Sequence, residues 1–212
     1  LMDKKEIDSN IHSIFSTPIY AAQLNRKFST KELSFVNITK KDVFKNEGNI
    51  TSNDAYILEN KVFKNLKKEI NLIVQDYFNK VMLSTKDITP CITQSWLNYT
   101  EKNQFHHQHS HPNSLVSGVL YIDSNKEFDK IKFFKKDIYG QGFKTKISGW
   151  NTWNSESWWC PVNTGDILLF PSSLKHMVEC KEGDNTRISL AFNTFIKGTL
   201  GSYKHFTELK IQ

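Results

Sequence analysis

FHHQHSHPNSLVSGVLYI, residues 105–122, places four of the chain's seven histidines within six positions, directly ahead of an apolar run. Side chains two apart on an extended chain share a face, so His107, His109 and His111 can converge while His106 points the other way. Pro112 cannot donate to a sheet ladder, so it ends the strand or opens a turn and leaves His109 and His111 at a strand mouth. Crowded imidazoles at such a place suggest a metal. An affinity tract would be terminal and uninterrupted, whereas this one is internal, mixed and followed by core-like sequence.

Outward from that stretch the pattern is β. CITQSWLNY, the histidine run, SLVSGVLYI, KIKFF, SWWCPV, DILLFP, HMVEC and TRISLAFNTFI are eight short strand-like segments with turn signals between them. They predict an antiparallel sandwich or barrel over residues 91–212. GQGFKTKISGWNTWNSES interrupts them as a long loop whose tryptophans Trp150, Trp153, Trp158 and Trp159 are candidates for sheltering a site or touching a substrate.

The first ninety residues support that core. SIFSTPIYAAQ, residues 13–23, reads as a strand broken at Pro18, and the polar stretch to about residue 56 has few apolar anchors, with NEGNITSND as a loop. From Asn60 to Met82 apolar residues recur at steps of three and four, from Val62 and Phe63 to Val81, opposite Lys64, Lys67, Lys68, Glu69 and Asp76. This predicts an amphipathic helix packed across a sheet. One domain over 1–212 is the expectation for a chain of 212 residues.

Composition narrows the classes. The excess of 28 Lys and Arg over 22 Asp and Glu is dispersed, so no nucleic-acid signature appears. Three cysteines without a CxxC pair point to a reduced, cytoplasmic setting. No segment approaches a membrane span. A P-loop, a GxGxxG turn and a serine-hydrolase elbow are all missing, which argues against those chemistries.

Two further segments join the histidines. GDILLFPSSLKHMVE, residues 165–179, brings His176 back to the sheet 65 residues after His111, and TRISLAFN places Arg187 11 residues beyond it. By alternation Arg187, Ser189, Ala191 and Asn193 share one face, with Ile188, Leu190, Phe192 and Thr194 on the apolar other. A guanidinium on the inner face of a strand is costly without an anion, so an anionic ligand is expected there. Tyr121 shares a face with Ser117 and Val119, and Asn98 with Gln94 and Trp96.

HSHPNSLVSGVLYI, GDILLFPSSLKHMV and RISLAFN together resemble the 2-oxoglutarate–iron(II) oxygenase family of marine bacteria and their phages. The resemblance runs from about Trp96 to Phe195, and SIFSTPIY is similar to that family's start. It implies a double-stranded β-helix (jelly-roll, cupin-like) fold. It further implies Fe(II) held by His109, His111 and His176, with His111 where better-known oxygenases carry a carboxylate. Arg187 would pair bidentately with the distal carboxylate of 2-oxoglutarate, helped by Ser189, with Tyr121 and Asn98 near the cosubstrate. The implied activity is an O2-dependent dioxygenase that hydroxylates a substrate while 2-oxoglutarate is decarboxylated to succinate. That substrate would be a small molecule or a peptidyl side chain, and a homodimer is compatible. The alternatives are an open coordination position in place of His111, or His107 with His109 as the metal pair. A cupin-like metal protein, a three-histidine oxygenase without 2-oxoglutarate and a catalytically dead relative are the competing readings.

Overall fold

The computed structural model describes residues 9–135 and 146–212. Every strand pair among them is antiparallel, and the strands form two layers.

The larger sheet is built on β4 (Thr89–Thr100), β6 (Val116–Asp123), β9 (Asp166–Pro171) and β11 (Arg187–Leu200). It runs β1-β9-β6-β11-β4-β3-β2, where β1 is Tyr20–Gln23, β2 Val43–Lys45 and β3 Ile50–Ser52, and β12 (Leu209–Ile211) pairs with β11. The smaller sheet runs β5-β10-β7-β8, from His106–His109 through His176–Val178 and Lys130–Phe134 to Ser157–Pro161. All eight segments expected after residue 90 are therefore strands, in the two-layered arrangement of a double-stranded β-helix whose sheets stay open.

Alternation divides the buried side chains between two cores. Leu97, Tyr99, Leu120, Leu190 and Phe192 face outward from the large sheet and meet Leu66, Ile70, Val74 and Tyr77 of the long helix. That helix, α2 (Lys64–Tyr77), is entered through a 3-10 turn at Lys61–Phe63 and left through a π turn at Phe78–Met82, matching the span expected from periodicity. The opposite faces, Val119, Tyr121, Leu168 and Phe170, meet Ile131, Phe133 and Val162 of the smaller sheet in the second core. The functional cavity lies at one end of this inter-sheet space.

The N-terminal expectations need correction. The strand over residues 13–23 is confined to Tyr20–Gln23, since Phe15 at φ 57° turns the chain out of the extended region. The polar stretch holds helix α1 (Thr30–Thr39), started by a capping box between Ser29 and Glu32 and held by Arg26, which bridges Glu32 and Glu69. Within NEGNITSND, residues 46–49 and 53–54 are loop and the middle is a strand. Ile50–Ser52 pairs with β4, and the Thr51 hydroxyl donates to Asn98 Oδ1 at 2.9 Å, so polar side chains find partners inside a sheet. Residues 140–145 of the long loop lie outside the described residues. Trp158 and Trp159 belong to β8 and not to that loop.

Candidate metal centre and anion pocket

The smaller sheet assembles the histidines. In the β5–β10 pair His109 lies directly opposite His176. Two residues on, the His111 backbone N–H donates to the Ser172 carbonyl at 2.9 Å, which ties the histidine turn to the end of β9. The three rings close on one another, with centroids 4.3 Å apart for His109 and His176, 4.9 Å for His109 and His111, and 5.2 Å for His111 and His176. One nitrogen from each lies within 4.8 Å of the others, a spacing at which three imidazoles can share an ion.

Backbone carbonyls orient two of these rings. His109 Nδ1 is 2.8 Å from the His107 carbonyl and His176 Nδ1 is 3.0 Å from that of Leu174. A carbonyl only accepts, so both Nδ1 atoms carry the proton and each Nε2 keeps its lone pair for a metal. Burial pushes His176 down to about 3 and His111 to about 4, with the neighbouring His109 adding to each, and burial also lowers His109. At neutral pH the set is uncharged, as ligands must be. Phe170 stands edge-on to His176 at 4.8 Å and Trp96 lies 5.6 Å from His111, so apolar rings wall the cluster.

His106 departs from expectation. Between His176 and Val178 the β10 register slips, so two residues span the three from His106 to His109. This bulge defeats strict alternation and turns His106 into the cavity, its ring stacked on His109 at 4.5 Å. A second histidine group, His106 with His107 and His109, also comes within coordinating distance. In it, however, the Asn46 amide is fixed by accepting the Glu47 N–H at 2.8 Å, so its NH2 faces His106 Nε2 at 3.2 Å and occupies that lone pair. Burial, with the adjacent histidines and Arg187, pushes His106 to about 2. His107 lies outside the cavity lining, its Nδ1 3.9 Å from Glu47. The alternative pair of His107 with His109 therefore draws on one ring inside the cavity and one beside it.

Opposite the histidines, β11 turns Arg187 and Ser189 into the same cavity, joined by Tyr121 and Asn98. Arg187 is 2 % exposed, and only its Nη2 has a partner, Thr100 Oγ1 at 3.1 Å. Its Nε and Nη1 are buried without one among the described residues. Burial lowers the Arg187 pKa and raises that of Tyr121, whose phenol stays a donor. Among the described residues no carboxylate lines the cavity, so a buried cation faces four imidazoles. Asn98 gives its carbonyl to Thr51, leaving its N–H groups as donors. Behind the floor, Ser172 links Ser114 at 2.7 Å to Ser117 at 2.8 Å, and Ser117 donates to Asn193. This serine bridge was not anticipated, although the serine pair after Pro171 marks it.

Residues 94–193, which include every residue that lines the cavity, match the family model described as "Putative 2OG-Fe(II) oxygenase". The match is to the 2OG-Fe(II) oxygenases. Solved structures agree on the fold. A prolyl hydroxylase from Trichoplax adhaerens, in complex with a hypoxia inducible factor peptide fragment, aligns with TM-score 0.59 at 14 % identity over 84 % of this chain and 83 % of that one. The α-ketoglutarate-dependent epimerase SnoN from nogalamycin biosynthesis gives 0.61 at 10 %, over 84 % and 76 %. HygX from Streptomyces hygroscopicus, with nickel, 2-oxoglutarate and hygromycin B bound, gives 0.54 at 14 %, over 84 % and 82 %. No curated protein matches by sequence. Among the described residues no helix is long and apolar enough to cross a membrane.

Proposed function

We propose that the protein is a non-haem Fe(II)- and 2-oxoglutarate-dependent dioxygenase that uses O2 to hydroxylate an organic substrate, with 2-oxoglutarate decarboxylated to succinate. The observation that carries this reading is the Arg187 guanidinium, buried with two nitrogens unpaired in the cavity that holds the His109, His111 and His176 imidazoles. A buried cation with unmet donors is costly to keep, and a carboxylate relieves the cost in bidentate geometry. A ligand bearing one carboxylate for Arg187 and a second chelating end for a metal matches both poles.

In this reading His109, His111 and His176 hold the iron through neutral nitrogens. When bound, iron and 2-oxoglutarate supply the oxygen activation that the side chains cannot. The chain's own residues then bind and orient. Arg187 fixes the distal carboxylate, Ser189 and Tyr121 offer hydroxyls beside it, and Asn98 offers N–H donors. His111 stands where a carboxylate would cancel one metal charge, so the loaded cavity has more positive charge for a dianionic cosubstrate. Phe170, Phe133 and Trp96 exclude water from the imidazoles.

Calorimetry on the protein loaded with a redox-inert divalent metal tests the reading. Saturable 2-oxoglutarate binding that Arg187→Ala abolishes supports it. Succinate release coupled to oxygen uptake separates it from a three-histidine oxygenase that needs no cosubstrate. No 2-oxoglutarate binding in the metal-loaded protein, with Arg187→Ala inert, leaves a cupin-like metal protein instead.

A further inference from the structure

Four imidazoles line the cavity, and His106 is the one outside the set of His109, His111 and His176. Its ring lies nearly parallel to that of His109, at 22° with centroids 4.5 Å apart. Asn46, which does not line the cavity, fixes the proton on that ring. Asn46 Oδ1 accepts the Glu47 N–H at 2.8 Å, so it is the Asn46 NH2 that faces His106 Nε2 at 3.2 Å. An NH2 only donates, so Nε2 accepts and the proton of neutral His106 resides on Nδ1.

The turn that carries Asn46 is itself tied to the start of β5. The Asn46 N–H donates to the Asn49 carbonyl at 2.9 Å, and the Phe105 N–H to that of Gly48 at 3.0 Å. Gly48 sits at φ 91°, and a Cβ there would stand 2.6 Å from the Phe105 carbonyl oxygen, so glycine lets the turn approach this closely. The second ring nitrogen of His106 is left over. The Nδ1 atoms of His109 and His176 donate to backbone carbonyls, whereas His106 Nδ1 has no partner among the described residues. Arg187 Nε and Nη1 are unmet donors of the same cavity, across from it on β11. One donor therefore stands beside a metal-ligating ring and a fork of donors at the other pole.

We propose that His106 is a cosubstrate-binding residue: its Nδ1–H donates to a carboxylate oxygen at the chelating end of 2-oxoglutarate, while Arg187 takes the distal carboxylate. This inference rests on the function proposed above, which supplies the metal at His109. The stack on His109 decides the end. A donor on a ring parallel to a ligand ring lies beside whatever is bound at that ligand's Nε2, and Arg187 projects from the other sheet. A hydrogen bond from a neutral donor to a carboxylate is charge-assisted. A cationic donor at this place would repel the ion, and a neutral imidazole whose tautomer Asn46 holds does not.

Two measurements test it. In the metal-free full-length protein, long-range 1H–15N correlations of the histidine rings should show His106 protonated at Nδ1, and a mixture of both tautomers in Asn46→Ala. Calorimetry on the zinc-loaded protein then compares 2-oxoglutarate with 2-oxobutyrate, which keeps the chelating end and lacks the distal carboxylate. His106→Phe should weaken both acids about tenfold, the size of one hydrogen bond to a charged group, with zinc affinity within about threefold of the original. His106→Gln, which keeps an N–H donor, should recover part of that loss, and Arg187→Ala should weaken 2-oxoglutarate alone. A wild-type His106 protonated at Nε2 overturns the inference, and so does a His106→Phe loss confined to 2-oxoglutarate or matched by an equal loss of zinc. Binding of 2-oxoglutarate without 2-oxobutyrate overturns it as well. If neither acid binds the wild-type protein, the function proposed above fails with it; if both bind and His106→Phe changes neither, this inference fails alone.

Discussion

His109 and His176 face each other across the β5–β10 pair with ring centroids 4.3 Å apart, and each donates Nδ1–H to a backbone carbonyl two residues earlier in the chain. The same local device thus aims two imidazoles from separate strands at one point. His176→Ala should lower divalent metal affinity at least about a hundredfold, more than perturbing an outer hydrogen-bond partner usually does. His107→Ala, outside the cavity, should leave it within about threefold. Calorimetric metal titrations check both, and equal losses would transfer the site to the neighbouring histidine group.

Arg187→Met should separate stability from binding. Removing a buried guanidinium with two unpaired nitrogens relieves desolvation, so the ligand-free protein should melt at the same temperature or higher. The increase in melting temperature produced by 2-oxoglutarate with a redox-inert metal should vanish. Arg187→Lys keeps the charge but not the fork, and should weaken 2-oxoglutarate by roughly tenfold to a hundredfold.

Acid should weaken the metal-free fold. His106, His111 and His176 sit at about 2, about 4 and about 3, all below the ordinary 6.5, with burial the leading cause. Unfolded, these groups take up protons as the pH falls through 6.5. Folded, they stay neutral until far lower, so the unfolded state binds more protons across that window and stability declines as pH drops. Denaturant titrations at pH 7 and pH 5 should show a lower midpoint at pH 5, less so in His106→Phe. An equal or higher midpoint at pH 5 contradicts the burial described.

Gly118→Ala should damage the large sheet. A Cβ at Gly118 would lie 2.1 Å from Phe192 Cζ and 2.7 Å from Leu169 Cδ2, both in the core against α2. Overpacking of this kind costs about 1–3 kcal/mol. A thermal melt measures it, and an unchanged melting temperature would mean that Phe192 has room to move.

Most of the β core and three of the histidines were legible because they obey period-two alternation: Arg187 and Ser189 on β11, and Tyr121 on β6, all reach the cavity as that rule requires. His106 did not, since a bulge is a property of the pairing with β10 and leaves no mark on β5 alone. Helix α1 was hidden among polar residues although Ser29 and Glu32 spell its capping box. Arg26, which bridges Glu32 of α1 and Glu69 of α2, ties it to the long helix. SWWCPV was legible as a strand, but two adjacent indoles satisfy no alternation pattern, and only the registers separate Trp158 from Trp159 in facing.

Anaerobic titration of the iron(II)-loaded protein with 2-oxoglutarate tests most directly whether three imidazoles and Arg187 form one cosubstrate site. A visible charge-transfer band should grow to saturation at one equivalent, and in Arg187→Ala it should require far more 2-oxoglutarate. Full iron occupancy with no band at any 2-oxoglutarate concentration would contradict the account.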